Sequence, residues 1–239
     1  MSFLSSKNKP PLPLLSGSTA LPSPLYSLDR LASIADMTQV ITLPANSICL
    51  TFDDGPHPVY TAKILAVLAD FDAKATFFVL GQAASQFPHL VEQIIKAGHA
   101  IGNHTYSHRH PWLMSSVRAQ LEVTQTNSII KEITGTAPRW FRPPFGRLRT
   151  AMRLQAQTEQ MTTVLWSHSV MDWGVFGTRA GISKRLTRIK PRDIVLLHDG
   201  RPAHNSPDMT SQCLPQFLRT IADQLFIAQS LDEVFSEHK

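Results

Sequence analysis

The stretch SICLTFDDGPHPVYTAKILAVLADFDAKATFFVLG, residues 47–81, decides how the chain is read. SICLTF is an apolar run of strand length. YTAKILAVLADF follows, with Ile64, Leu65 and Leu68 on one face of a helical period, and KATFFVLG is a second strand. Strand, helix and strand in succession make two parallel strands joined by a right-handed crossover. At the end of the first strand stand Asp53 and Asp54, stopped by Gly55-Pro56. Neighbours on a strand face opposite ways, so two adjacent acids share one environment only from a turn beyond the strand end. Adjacent acids on a loop are ordinarily just solvated, so a site here needs support from the rest of the chain.

That support begins with the alternation itself. FPHLVEQIIKAGH reads as a helix ended by Gly98, HAIGNH as a short strand, and SSVRAQLEVTQTNSIIKEITG as a long helix ended by Gly135. PRWFRPP is strand-like, TAMRLQAQTEQ helical, MTTVLW a strand, RAGISKRLTRI a helix and RDIVLLH a strand. DMTSQCLPQFLRTIADQL closes the series as a helix whose Pro215 predicts a start or kink nearby. About seven strand–helix units from Ser47 onward fit a closed or nearly closed β/α barrel, with an open doubly wound sheet as the rival. No G-x-G-x-x-G or Walker-type loop follows a strand, which counts against a nucleotide-binding version of that rival.

The 239 residues suffice for one substantial core, and 43% hydrophobic with 17% charged residues is the composition of a soluble globular protein. Residues 1–46 divide into a Pro/Ser-rich arm of about 25 residues and a lead-in from Tyr26 to Ala45, expected to hold a short helix. Residues 47–239 are expected to form the main domain, the one that carries the strand–helix units. The net charge of +5 is spread along the chain. Its densest cluster, Arg139, Arg142, Arg147, Arg149 and Arg153, lacks the interleaved aromatics of a single-strand binder, so it reads as a solvated face or an anion contact, with no nucleic-acid partner. Cys49 and Cys213 make no disulfide framework. Five prolines break the first 28 residues, leaving no signal-peptide core, and no run approaches the ~18 apolar residues of a membrane span. The expectation is a cytoplasmic protein.

The chemistry-bearing residues fall at strand ends. Asp53 and Asp54 follow SICLTF, His104 and His108 follow HAIG, and Arg142 with PPFG follows RWF. Asp172-Trp173 comes shortly after MTTVLW, and His198 closes DIVLL. In a β/α barrel the C-terminal strand ends open on one face, where sites are built. His104 and His108, four apart, would face one way from a single helical turn. Two imidazoles and a carboxylate suit Zn²⁺ with a position left open. His57, His99 and His110 read as bystanders. One acid could then bind the metal while the other accepts a proton from the attacking water, with Arg142 as the cation that favours its ionised form. His198 could protonate a leaving group, its ring oriented by Asp172.

TFDDGP, HTYSH, RPPFG, MDW and LLHDG, in this order, resemble the motifs of the polysaccharide deacetylases of the NodB-homology type, carbohydrate esterase family 4. The resemblance runs from Ser47 to about Phe235. It implies a distorted (β/α) barrel of seven or eight strands that removes acetyl groups from N-acetylated sugars with a divalent metal, Zn²⁺ or alternatively Co²⁺. By motif, it implies Asp53 as general base, Asp54, His104 and His108 as metal ligands, and Arg142 as the brace of Asp53. It further implies the backbone N–H of Phe145 in the oxyanion site and His198, tuned by Asp172, as general acid. Trp173 and Leu196 would line the pocket for the acetyl methyl. Two positions depart from the family pattern: Ser169 stands where an acid is common, and Phe145 where tyrosine is common. The expected substrate is an N-acetylglucosamine-type poly- or oligosaccharide, chitooligosaccharide or peptidoglycan-like. The alternatives are an amide or formamide C–N hydrolase on a non-polymeric substrate and, behind it, a non-catalytic carbohydrate-binding homologue.

Overall fold

The computed structural model describes residues 43–236 and, ahead of them, the backbone of two short antiparallel strands, β1 (Ile34–Ala35) and β2 (Gln39–Val40). The arm, and the rest of the lead-in expected to be helical, lie outside the described residues. Where the lead-in is described it forms these two strands and, at residues 43–45, irregular chain, rather than helix.

Seven parallel strands follow: β3 (Ser47–Asp53), β4 (Ala75–Val79), β5 (Ala100–Asn103), β6 (Trp140–Phe141), β7 (Thr162–Thr163), β8 (His168–Ser169) and β9 (Ile194–His198). Their order is β7-β6-β5-β4-β3-β9-β8, and β10 (Ile227–Ala228) pairs with the start of β3. The helices are α1 (Tyr60–Asp70), α2 (Gly81–Gln86), α3 (Pro88–Lys96), α4 (Ser116–Thr134), α5 (Thr150–Thr158), α6 (Arg179–Leu186), α7 (Pro207–Asp223) and α8 (Leu231–Ser236).

Chain length shows why the sheet must curl. The edges β7 and β8 are joined only by residues 164–167, a reach of at most about 18 Å. A flat sheet of this order would hold its edges roughly 29 Å apart at the usual strand spacing. The result is a curled parallel half-barrel, the distorted barrel expected, and not an open doubly wound sheet.

Alternation along β3 then assigns its faces. Ile48, Leu50 and Phe52 join Ile64, Leu68, Phe77 and Val79 in the layer between sheet and helices, where Phe52 and Phe77 stack at 5.1 Å. Cys49 packs in a second cluster with Phe78, Trp140, Val164 and Leu196. Thr51 and Asp53 share its face by strand period. Because both faces are buried, the strand reads as one continuous apolar run. Both cysteines are buried and unpaired by disulfide, and burial pushes the Cys49 thiol up to about 12.

Three local expectations change. MTTVLW pairs only at Thr162–Thr163, because the residues after it cross the gap between the sheet edges. α7 begins at Pro207 and runs through Pro215, held by buried Cys213, Leu214, Phe217 and Leu218 on its inner face. The arginine cluster is no single surface. Arg142 is fully buried, Arg139 lies over the Trp140 ring, and Arg149 donates to the carbonyls of Pro111 and Met114. Among the described residues no helix is long and apolar enough to cross a membrane.

Candidate active site

The two acids meet because the backbone turns between them. Asp53 is the last residue of β3, and Asp54, the next, takes a left-handed conformation at φ 75°. That twist cancels the alternation of a strand, so both carboxylates reach the same imidazole. His104 Nε2 lies 3.6 Å from Asp53 Oδ2 and 3.6 Å from Asp54 Oδ1. Left-handed residues recur round this mouth, at Thr105, His108, Phe145, Met171 and Arg201. Backbone strain of this kind costs of order 1–3 kcal/mol each and persists where surrounding structure enforces it.

The carboxylates are not equivalent. Asp53 Oδ1 accepts from Arg142 Nη1 at 2.8 Å. Arg142 itself bridges the gap in the barrel: it donates to Thr51 Oγ1 and to the carbonyls of Val164 and Leu165, and lies 4.0 Å from the centre of the Phe78 ring. Burial pulls its pKa down, yet the adjacent Asp53 compensates the buried charge. Asp54 instead faces the histidines. Its Oδ1 lies 3.2 Å from His108 Nε2 and has no hydrogen-bond partner among the described residues, while Oδ2 accepts from Asn205 Nδ2 at 2.8 Å.

Asp54, His104 and His108 fit a divalent metal. Each offers one ligand atom, and the three lie within 4.8 Å of one another. The orphaned, buried Asp54 oxygen beside two imidazoles matches the donor set that a divalent cation takes. Burial raises the Asp54 pKa, but His108, His198, His104 and Arg201 outweigh it and the net direction is down. Burial drives His108 to about 3 despite Asp54, so Asp54 is a carboxylate and His108 a neutral imidazole, and neither carries the extra proton that would compete with a metal. His104 Nδ1–H donates to the Arg142 carbonyl at 2.7 Å, which leaves Nε2 as a lone-pair donor.

The expected helical turn at HTYSH is absent. Residues 104–108 form a loop, and its two imidazoles approach to 5.1 Å through left-handed Thr105 and His108. Glu122 on α4, fully buried, holds this loop by accepting from Ser107 N–H and Oγ–H. Asn103 Oδ1 accepts from Thr105 N–H at 2.9 Å.

His198 Nδ1–H donates to Asp172 Oδ1 at 2.7 Å. Asp172 is itself fixed, accepting from the His198 backbone N–H and from Thr210 Oγ–H. Burial pushes the His198 ring down, but Asp172, with Asp54 and Asp53 behind it, more than offsets it and the pKa rises to about 9. Trp173 meets this ring edge-on at 5.5 Å. Leu196 lies two residues before His198 on β9, on the same face, and packs in the cluster that Trp173 joins. Phe145, at φ 59°, sets its ring 4.6 Å from that of His108. Thus the structure gathers Asp53, Asp54, His104, His108, Arg142, Phe145, Asp172, Trp173, Leu196 and His198 at the C-terminal mouth of the sheet. His99 accepts from Ala75 N–H and His57 from Val59 N–H, contacts that are structural.

Glu122, Thr210, Asn205 and Arg201 carry no motif and were not found from sequence. The one signal for the last two was position, since both lie in the polar loop that follows the LLHDG strand end.

One measurement probes the His198 pair directly. If His198 serves as a general acid it must be protonated, and activity should then fall as pH rises through about 9, or through a lower value once a metal cation lies nearby. In Asp172→Asn the foremost of the charges that raise the ring is gone while burial still pulls it down against Asp54 and Asp53, so the alkaline limb should move to lower pH. An unmoved limb would exclude His198 as the acid.

Fold and site together define a hydrolase of amide bonds built around a candidate divalent-metal centre. The chain belongs to the polysaccharide deacetylase family, carbohydrate esterase family 4. The family profile for polysaccharide deacetylases matches residues 41–164. A peptidoglycan-N-acetylglucosamine deacetylase of Bacillus cereus is 32% identical over 194 residues, covering 80% of this chain and 70% of its own. A chitooligosaccharide deacetylase of Sinorhizobium fredii is 34% identical over 199 residues, covering 79% and 92%. Among solved structures, a family 4 pseudoenzyme from Bacillus anthracis superposes with a TM-score of 0.70 at 26% identity, covering 79% of this chain and 65% of that one. A shared fold is therefore not enough for activity, and the side chains must decide.

Proposed function

We propose that this protein is a zinc-dependent N-deacetylase of N-acetylglucosamine-containing saccharides, either chitooligosaccharides or peptidoglycan. The observation that carries the reading is the division of labour between the adjacent acids, Asp53 bonded to Arg142 and Asp54 turned toward two histidines. A non-catalytic homologue has no need to keep a base, a ligand triad and a histidine–aspartate pair together.

A divalent metal held by Asp54, His104 and His108 would polarise the amide carbonyl and make an attacking water more acidic. The remaining steps belong to the chain. Asp53 takes the proton of the water at Oδ2, since Oδ1 is engaged by Arg142. The Phe145 backbone N–H donates to the oxyanion of the tetrahedral intermediate, a contribution typically worth about 10²–10³ in rate. His198 passes a proton from Nε2 to the amine nitrogen as the C–N bond breaks, giving acetate and a free amino sugar. Trp173 and Leu196 enclose the acetyl methyl.

Acetate release from chitooligosaccharides and from peptidoglycan fragments tests this. Release should vanish on chelation and return with Zn²⁺ or Co²⁺. Release that survives exhaustive chelation would overturn the metal-dependent reading, and turnover only on other amides would move the substrate away from acetylated sugars.

A further inference from the structure

We propose that Arg201 is the resident cation of the metal site, holding His108 in a tautomer that cannot ligate until a divalent metal displaces the guanidinium. This rests on the metal-site part of the functional reading and is independent of the reaction. Arg201 lies in the loop after β9, its backbone left-handed at φ 49°. Its Nη1 is 2.6 Å from His108 Nδ1 and 3.8 Å from Asp54 Oδ2.

A guanidinium has donors only. His108 Nδ1 must therefore accept, and a ring accepting there carries its proton on Nε2. That nitrogen is the one 3.2 Å from Asp54 Oδ1. To ligate through Nε2 the ring must present a lone pair there, which moves the proton to Nδ1. Nδ1–H and the guanidinium N–H would then face each other, two donors with no acceptor between them. The Arg201–His108 bond and the Nε2–metal bond exclude each other.

The two histidines are thus prepared differently. His104 is preset, because a carbonyl accepts from its Nδ1–H. His108 is switched, because a cation donates to its Nδ1. Electrostatics act in the same sense, since a single positive charge beside Asp54 opposes the arrival of a divalent one. The Arg201 side chain is 29% exposed, so it can swing into solvent without disturbing the core.

The test is metal binding, not turnover. Co²⁺ alone is titrated by its visible absorption, and Zn²⁺ by competition with a chromophoric chelator, in wild type, Arg201→Met and Arg201→Lys. Arg201→Met removes charge and donors at similar length and should bind both metals at least about tenfold tighter. Arg201→Lys keeps both and should stay near wild type. Nitrogen-detected NMR of the wild type is the second readout, and it needs no variant to fold. His108 should carry Nε2–H without metal and Nδ1–H with Zn²⁺. Unchanged or weaker binding by Arg201→Met overturns the proposal, as does Nδ1–H in the metal-free wild type. Tight metal binding without acetate release would sink the deacetylase reading and leave this one standing. Acetate release with unaltered Arg201→Met affinity would do the reverse.

Discussion

Asp53→Asn is expected to lower kcat for acetate release by about 10²–10⁴, the usual contribution of a positioned general base, while zinc affinity stays near wild type. The substitution keeps size and shape. Its amide oxygen can still accept from Arg142 Nη1, which approaches Asp53 Oδ1 at 2.8 Å. The –NH₂ then falls where Oδ2 stood, 3.6 Å from His104 Nε2, and has no lone pair for a proton. The protein should also lose stability, because Arg142 is fully buried and its counter-charge is gone. Removing one partner of a buried pair costs about 3–5 kcal/mol. The retained acceptor and the bonds to Thr51, Val164 and Leu165 place the loss at or below the lower end. Asp54→Asn is the matched comparison. It should weaken zinc binding first, since Asp54 Oδ1 is the oxygen turned toward both histidines. Zinc affinity and kcat at saturating zinc, measured for both variants, separate the roles. If Asp53→Asn lost zinc and Asp54→Asn kept it, base and ligand would be exchanged.

What could be read in the sequence followed a physical boundary. The strand–helix alternation and the placement of acids and histidines at strand ends are local patterns, and the parallel barrel order follows from them through chain reach and handedness. The pairing of Asp53 with His198 across β3 and β9 is of this kind, since two apolar strands ending in polar residues align their ends. The residues that were missed act across long separations or by loop conformation. Asn205 bonds to Asp54 from 151 positions away, and Thr210 fixes Asp172 from a helix with no signature. Glu122 looks like any acid on an amphipathic helix until the fold buries it against Ser107. HTYSH misled because a four-residue spacing fits a helical turn, whereas Glu122, Asn103 and left-handed backbone build a loop that brings the same rings together.

Gly200→Ala should be the most damaging substitution that touches no catalytic group, because the turns after β3 and β9 interlock. A Cβ on Gly200 would stand 2.0 Å from the Asp54 carbonyl oxygen and 2.3 Å from its carbon. In the other direction, a Cβ on Gly55 would stand 2.2 Å from Asp199 Oδ2. Each glycine makes room for the aspartate turn opposite. Asp199, buried with its pKa raised to about 7 by burial and by Asp54 and Asp53, fills the space beneath Gly55 and accepts from Thr61 Oγ–H at 2.5 Å. Its own N–H donates to the Asp53 carbonyl at 3.1 Å. The two clashes differ in kind. Gly55→Ala meets a side chain that can rotate at the cost of its bond to Thr61. Gly200→Ala meets backbone, and relief requires the residue carrying the histidine-facing carboxylate to move. Overpacking typically costs about 1–3 kcal/mol, and this case should reach the upper end, a fall in melting temperature of roughly 6–12 °C for a chain of this length. Zinc affinity should fall with it, by more than in Gly55→Ala, because Asp54 leaves its position against His104 and His108. Calorimetric melting and a zinc titration of the two variants decide the matter: a Gly200→Ala protein with wild-type stability and zinc affinity would mean that the turns do not hold each other, and that Asp54 is placed by its own loop alone.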